Sequence, residues 1–527
     1  MISLHELEPA VWSEKQFGTC EPGDTRRTQR LVRYAQQMAE KPDASTPCQT
    51  ENWGDCKAVY RLFERPEVTF ESVTAAHYQN TRTLPAGRYL VVSDTTEIDY
   101  GYESEREGLG PLMATHRRGF FLHSALVMDA ESHQVMGLGM QELWARAAGK
   151  QKRVHRVKGR KRKTEHEVWG RVIDGVTSIA ANVEFIHVCD RGADNFDVFA
   201  HLHLKGDSWV IRAAQLKRKL RAADGVVRKL DEILLDATLQ GSDRIWVNAN
   251  KKQAARWAQV EVRSTSVTMV RPREGATAYV MDNNIREVPT NVVEVRELKA
   301  PKGSAALHGV LYTKEPVASF EDCCRVIEHY EQRPMVEEYH KGLKTGLQVE
   351  GRQYETASRL SAVIGVICVQ AVRLLQLRDV ARQAPETAAK KLVPTEWIEV
   401  LGTITRRPRA INTVGEFMRA LAGLGGFPGR KSDGQPGWQT RLANHLARPR
   451  NFDPRPPRIS CCTQEMWVKM SPAGRTYFNN HPRLHPFRTM RSLASGVANS
   501  RLIVGRPIHR MPRASRITYQ RFSKAVT

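Results

Sequence analysis

Residues 88–99 read RYLVVSDTTEID, an apolar run from Tyr89 to Val92 with Asp94 just past it. Such a run, rich in Val and Tyr, predicts a strand. GFFLHSALVMDAE at 119–131 and HQVMGLGMQEL at 133–143 follow, with a turn near Asp129, so three consecutive strands predict a meander. HEVWGRVIDGVTSIAA (166–181) has helical character and leads into VEFIHVCDRGAD (183–194), an apolar strand with Asp190 at its carboxyl end. A strand-strand-strand-helix-strand-helix order predicts one α/β layer on a mixed sheet.

From roughly Leu216 to Ala306 the pattern alternates as in QVEVRSTSVTMV and VVEVREL, which predicts an inserted β subdomain. After strand HGVLYT (308–313) the chain is expected to be helical from Ser319 through MVEEYHKGLKTG, with Pro334 at a break or first-turn position. The apolar stretch within SRLSAVIGVICVQAVRLLQL (358–377) runs only from Ala362 to Val369, short of the roughly 20 residues a bilayer needs. A buried helix is expected there, and no membrane partner.

Upstream, Asp24 is the expected N-cap of a helix through TRRTQRLVRYAQQMAE (25–40), with Leu31, Ala35 and Met38 on one face and Arg26, Arg30 and Arg33 on another. A second helix is expected from Asp55 to Glu64, with Lys57 and Arg61 one turn apart. Solvated basic faces of an ordinary bundle and a DNA-facing surface both fit this pattern.

The 527 residues carry 80 Lys+Arg against 57 Asp+Glu, a formal charge of +23, which favours an anionic polymer, nucleic acid first. Residues 441–527 hold net +15, with frequent prolines and no sustained period, and are expected to be disordered. The Lys/Arg run from Lys150 to Lys163 is expected to be a loop, either solvated or facing phosphate. Nine cysteines include no C-x-x-C pair, which argues against a zinc ribbon and a disulfide framework. The N-terminus has neither the basic start nor the apolar run of a signal peptide, so a cytoplasmic, nucleoid-associated protein is expected.

Two aspartates at strand ends are weak signals singly, since each could cap a turn. Tyr330, Arg333, Glu337, Lys341 and Lys344 recur at intervals of 3 and 4, which on a continuous helix lines one face. A solvated, salt-bridged helix gives the same pattern. Together, however, Asp94, Asp190 and Glu337 could hold two Mg²⁺ or Mn²⁺ ions roughly 3.5–4 Å apart, as in-line attack on a phosphodiester requires. Arg and Lys beside them would grip flanking phosphates.

With these residues in place, the sequence resembles the DDE transposases of bacterial insertion sequences, the insertion sequence four family. Y-x-x-R-x-x-x-E-x-x-x-x-x-x-K is matched at Tyr330, Arg333, Glu337 and Lys344. GDTRRTQRLV near Asp24, AVYRLF at Ala58, SDTTEIDY at Asp94, RGFFLHSAL at Arg118, VCDRGAD at Cys189, YTKEPV at Tyr312 and AVRLLQLR at Ala371 follow in family order. The resemblance implies an α/β fold: an RNase H-like catalytic core with an inserted β subdomain, an N-terminal helical DNA-binding domain and a helical C-terminal region. The expected boundaries are 1–80 for the N-terminal domain, 85–215 and 307–380 for the core, 216–306 for the insert, 381–440 for the C-terminal region and 441–527 for the tail.

By position the resemblance makes Asp94, Asp190 and Glu337 the metal-binding catalytic triad, and Tyr330, Arg333 and Lys344 contacts to the DNA near the cut. Arg26, Arg27, Arg30, Lys57 and Arg61 are the expected DNA-binding residues of the N-terminal domain. The implied activity is cut-and-paste transposition: hydrolysis frees a 3′-OH, a hairpin forms and opens, and the 3′-OH attacks target DNA. The implied partners are double-stranded element ends, target DNA and a second copy of the chain. Two departures stand out. Gly309 occupies the position where relatives carry a tryptophan that packs near a flipped base, and the resemblance stops near Arg441. A defective copy that binds ends and inhibits transposition is therefore the alternative expectation.

Overall fold

The computed structural model describes residues 5–147, 167–247, 255–405 and 411–430, except 103, 105, 115, 302, 305, 384, 392, 394, 425, 426 and 429. The basic run 150–163 and the tail 441–527 lie outside the described residues, so the expectations made for them do too.

The chain opens with helices α1 (Pro9–Phe17), α2 (Thr25–Glu40), α3 (Thr46–Gln49), α4 (Trp53–Phe63) and α5 (Phe70–Arg82). Asp24 caps α2 by accepting from the Arg27 N–H at 2.9 Å, as expected. The second expected helix starts earlier than the sequence suggested: Asn52, not a residue nearer Asp55, accepts the N3 amide and sets the start of α4 at Trp53.

Strands β1 (Gly87–Tyr102), β2 (Gly110–Pro111), β3 (Arg117–Asp129) and β4 (Val135–Trp144) follow, then α6 (Glu167–Gly175), β5 (Val183–Cys189), α7 (Phe196–Lys205) and β6 (Ser208–Arg212). The expected meander is present as β1, β3 and β4, antiparallel throughout, and β5 and β6 add in parallel on the far side of β1. One expectation fails here. Asp94 does not end its strand, because β1 continues eight residues beyond it, paired with β3 as far as Tyr102 and Arg117.

The next elements are β7 (Lys219–Ala222), β8 (Val227–Lys229), α8 (Leu230–Ile233), β9 (Thr238–Val247), β10 (Arg256–Val270), α9 (Ala278–Asp282), β11 (Glu287–Glu297) and β12 (His308–Thr313). These strands are not a separate sheet. Among the described residues one mixed sheet runs β2-β3-β1-β5-β6-β12-β11-β10-β7-β8, with β4 on β3 and β9 on β10. The joint is β12, antiparallel to both β6 and β11.

Helices α10 (Phe320–Glu331), α11 (Pro334–Lys341), α12 (Ala357–Gln383), α13 (Thr395–Ile404) and α14 (Val414–Leu424) complete the described chain. Pro334 takes one of the two places expected for it, the first turn of a new helix, and the stripe from Tyr330 to Lys344 is interrupted there. Pro334 has no N–H to donate and opens α11, so Tyr330 belongs to the last turn of α10 and Lys344 lies in a π turn, Gly342–Gly346.

α12 is apolar enough over Ala357–Val380 to pass for a membrane span, yet 89% of that window is buried inside the molecule, as the buried-helix reading expected. Arg373 in its middle is fully buried, donates to the carbonyls of Leu7 (2.7 Å) and Ala39 (3.4 Å), and lies over the Trp12 ring. Burial pulls its pKa down to about 9. Buried Arg352 likewise donates to Ala44, Pro42 and Leu347 carbonyls. Two arginines serving main-chain acceptors thus fasten the N-terminal helices to the rest.

Candidate active site and DNA-binding face

Leu90, Val92, Ile98 and Tyr100 alternate along β1 and belong to the same core cluster as α12. Asp94 falls in that row, so the period of two places a carboxylate on the face that α11 and α12 cover. Ser93 of β1 pairs with Cys189 of parallel β5, which sets Asp190 beside Asp94. Each aspartate accepts a nearby main-chain N–H: Asp94 Oδ1 from Thr95 at 2.7 Å, Asp190 Oδ1 from Gly192 at 2.8 Å. Glu337 sits in the first turn of α11, four residues after Arg333.

These three carboxylates meet on one cation. A single terminal nitrogen of Arg333 lies 2.7 Å from Asp94 Oδ2 and 3.2 Å from Asp190 Oδ2, while its twin donates to Glu337. Burial works against the Arg333 charge, but Asp94, Asp190 and Glu337 outweigh it and raise its pKa. Asp94 is pushed up to about 6, by burial first and further by Asp190 and Glu337, against the pull of Arg333.

Among the described residues no three His, Cys, Asp or Glu side chains stand close enough to hold a metal ion. The carboxylates surround a guanidinium, not one another. Their oxygens are nevertheless the hard donors that Mg²⁺ or Mn²⁺ takes, with no sulfur or imidazole among them. Donor chemistry therefore fits such an ion, which would be held by Asp94, Asp190 and Glu337 once Arg333 is drawn aside.

A cavity of about 270 Å³ opens beside the carboxylates, lined by Asp190, Arg191, Arg212, Tyr330, Arg333 and Glu337 among others. Tyr330 is buried and hydrogen-bonded to Arg212; burial raises the phenol and lowers the guanidinium, each countered by the other. Lys344 is not gathered here, but pairs with Glu350 at 3.5 Å. Sequence reasoning missed Arg191 and Arg212. Arg191 follows Asp190 directly, and Arg212 ends β6, the parallel neighbour of β5, so both occupy the same carboxyl end of the sheet.

α11 is held by buried polar contacts. Gln141 of β4 donates to Ser124 (2.8 Å) and to the hydroxyl of fully buried Tyr339 (3.1 Å), which donates in turn to the Cys368 carbonyl of α12 (3.2 Å). Glu338 turns toward Arg378 at 3.7 Å.

On the N-terminal helices, Arg26, Lys57 and Arg61 are exposed, and the Lys57 ammonium lies 5.2 Å from the Trp53 ring centroid. Arg27 bonds the Pro22 carbonyl and pairs with Glu67, both at 3.1 Å. Arg30 pairs with buried Asp55, which Gln37 and Arg33 also reach. Burial would raise the Asp55 carboxyl, but Gln37, Arg33 and Arg30 hold it below its ordinary value. Arg27 and Arg30 thus have partners within the fold.

Residues 9–68, which span α1 to α4, match the family model described as transposase DNA-binding. The match supports a transposase, with DNA as its partner. In that transposase DNA-binding region, Arg26, Lys57 and Arg61 are the exposed cations among the five basic residues singled out from sequence.

Proposed function

We propose that this chain is a DDE transposase of the insertion sequence four family, cutting and joining DNA phosphodiesters at element ends with Mg²⁺ or Mn²⁺. The observation that carries this reading is the convergence of Asp94, Asp190 and Glu337, from two strands and a helix, on the single cation Arg333. The order β4-β3-β1-β5-β6, three antiparallel strands followed by two parallel ones, supports an RNase H-like core around it. The transposase DNA-binding match supplies the DNA.

Two ions on the three carboxylates would activate the attacking oxygen and stabilise the leaving oxygen. The chain's own residues do the positioning. Arg191 and Arg212 line the cavity on the Asp190 side and suit a phosphate by charge and bidentate geometry. Tyr330 orients Arg212, and Arg333 exchanges its carboxylates for a phosphate as DNA enters. Target joining then uses the freed 3′-OH in the same place. We also propose that two copies act on paired ends.

The test is strand cleavage by the full chain, with Mg²⁺ or Mn²⁺, on duplexes carrying the inverted repeats beside its gene. A nick at the repeat boundary that needs the metal is expected. Gly309, at the position where relatives carry a stacking tryptophan, lies in β12 opposite Val295 and favours a second reading, an end-binding inhibitor. Repeat-specific binding with no cleavage under any metal would establish that reading instead.

A further inference from the structure

The two strand aspartates are braced from behind by the same pair of rings. Thr95, whose N–H is bonded to Asp94, turns its side chain to the opposite face of β1, where its Oγ1 meets Nδ1 of His123 at 2.7 Å. His123 is the register partner of Thr95 on β3 and is fully buried. Its ring stands edge-on to Trp169 of α6, centroids 4.4 Å apart at 68°. Trp169 in turn backs the loop of the second aspartate: a Cβ built on Gly192 would lie 3.4 Å from the indole and 3.0 Å from Asp190 Oδ1. The main-chain donors to Asp94 and Asp190, Thr95 and Gly192, therefore rest on one T-shaped unit.

That unit carries a polar cost that packing alone does not require. Among the described residues the Nε2 of His123 has no hydrogen-bond partner. Burial, and then the nearby Arg171 charge, depress His123 to about 3, so the imidazole is neutral, with its Nδ1 on the Thr95 hydroxyl. A leucine would fill this space without an orphaned nitrogen.

We propose that His123 and Trp169 are positioning residues that fix Asp94 and Asp190, through Thr95 and Gly192, at the spacing from which both can serve one metal centre. The proposal rests on the metal-dependent reading of the site. Neither ring lines the cavity beside the carboxylates. Groups that orient ligands in this way are typically worth about 10–100-fold in metal affinity or activity.

The experiment uses the full chain and two probes, Mn²⁺ alone, read by electron paramagnetic resonance, and the inverted-repeat duplex. Thr95→Val and His123→Leu are expected to weaken Mn²⁺ binding and slow single-turnover cleavage at saturating DNA by about 10–100-fold, with the duplex Kd unchanged within twofold. His123→Asn, whose amide reaches the Nδ1 position, should recover most of both losses. The Thr95→Val/His123→Leu double variant should be no worse than the poorer single one, since both remove the same contact. Thr95→Val deletes one hydroxyl and keeps the shape, so it carries the test if His123→Leu does not fold.

Wild-type Mn²⁺ affinity and cleavage in Thr95→Val and His123→Leu would overturn the inference while leaving the metal reading intact. So would additive losses, or losses of cleavage and duplex binding in parallel. A wild-type chain that neither binds Mn²⁺ nor cleaves would overturn the metal reading, and the inference with it.

Discussion

Arg333 and Asp94, 239 residues apart in sequence, are joined by a hydrogen-bonded ion pair of 2.7 Å. The pair sits at the meeting point of a strand interior and the start of a helix, and it makes the three carboxylates tolerable side by side. Left without a counter-ion, Asp94, Asp190 and Glu337 would repel one another in a partly buried place.

The first expected outcome concerns the carboxylates. Asp94→Asn, Asp190→Asn and Glu337→Gln are each expected to abolish strand cleavage and leave repeat binding intact, because the transposase DNA-binding match lies on the N-terminal helices, away from the carboxylates. Glu338→Gln keeps cleavage well above that of Glu337→Gln, since the next position on the helix is turned about 100° away, toward Arg378. A gel cleavage assay with a parallel binding assay checks this; the reverse order of the two glutamates would mean the assignment is one residue out of register.

Removing the resident cation should favour another. In the DNA-free chain, Arg333→Ala is expected to tighten Mn²⁺ binding by about fivefold or more, the lower range of ordinary site-to-site coupling. Its Tm without metal should fall and recover when Mn²⁺ is added. Equal Mn²⁺ affinity in the variant and the parent, by titration calorimetry, would show that Arg333 does not compete for the carboxylates.

The raised Asp94 carboxyl gives a pH dependence with a definite sign. An acid whose pKa goes from an ordinary value near 4 up to about 6 on folding favours the protonated native state. Its contribution is therefore present in full below about pH 4 and is lost as pH rises through 6, at most about 2–3 kcal/mol for two units. The metal-free chain should lose stability across that window, and Asp94→Asn should flatten the slope. Mn²⁺ affinity should move the other way, falling about tenfold per unit below pH 6, because the ligand must be ionised.

Basic residues of the N-terminal helices should separate into two groups. Lys57→Ala, Arg61→Ala and Arg26→Ala each weaken DNA binding and flatten its salt dependence by about one unit of slope, if the exposed face meets phosphate. Arg30→Ala acts instead on stability, by about 1–3 kcal/mol, because Asp55 is buried and loses its nearest cation. Affinity measured at several salt concentrations beside thermal melting distinguishes them. A large salt-slope change in Arg30→Ala with normal melting would reverse the assignment.

Much of the site was legible because its chemistry sits on strong local patterns. Asp94 and Asp190 follow apolar runs, and Glu337 lies on a regular stripe. What the sequence concealed depends on distant partners. β1 outlasts its apolar stretch because β3 pairs with its polar half: the polar run from Ser93 to Glu97 reads locally as a strand's end, although Glu97 to Tyr100 resumes the period of two. Arg212 becomes part of the cavity only because β6 lies beside β5, and Arg30 turns inward only because α4 presents Asp55. The strands between 216 and 306 alternate as expected, but their attachment through β12 to β6 is a pairing no local period reveals.

α12 touches both halves of the work. Arg373, near its middle, is anchored into the N-terminal helices at Leu7 and Ala39, and the Cys368 carbonyl one turn earlier receives the hydroxyl from the helix that carries Glu337. On the proposed reading, this single buried rod acts as a caliper between the DNA-binding helices and the carboxylates. Its length is set by main-chain geometry, not by flexible linkage. Loosening one jaw, as in Arg373→Met, should scatter the position of the nick along the DNA before it lowers the amount of DNA held, a difference visible at single-nucleotide resolution.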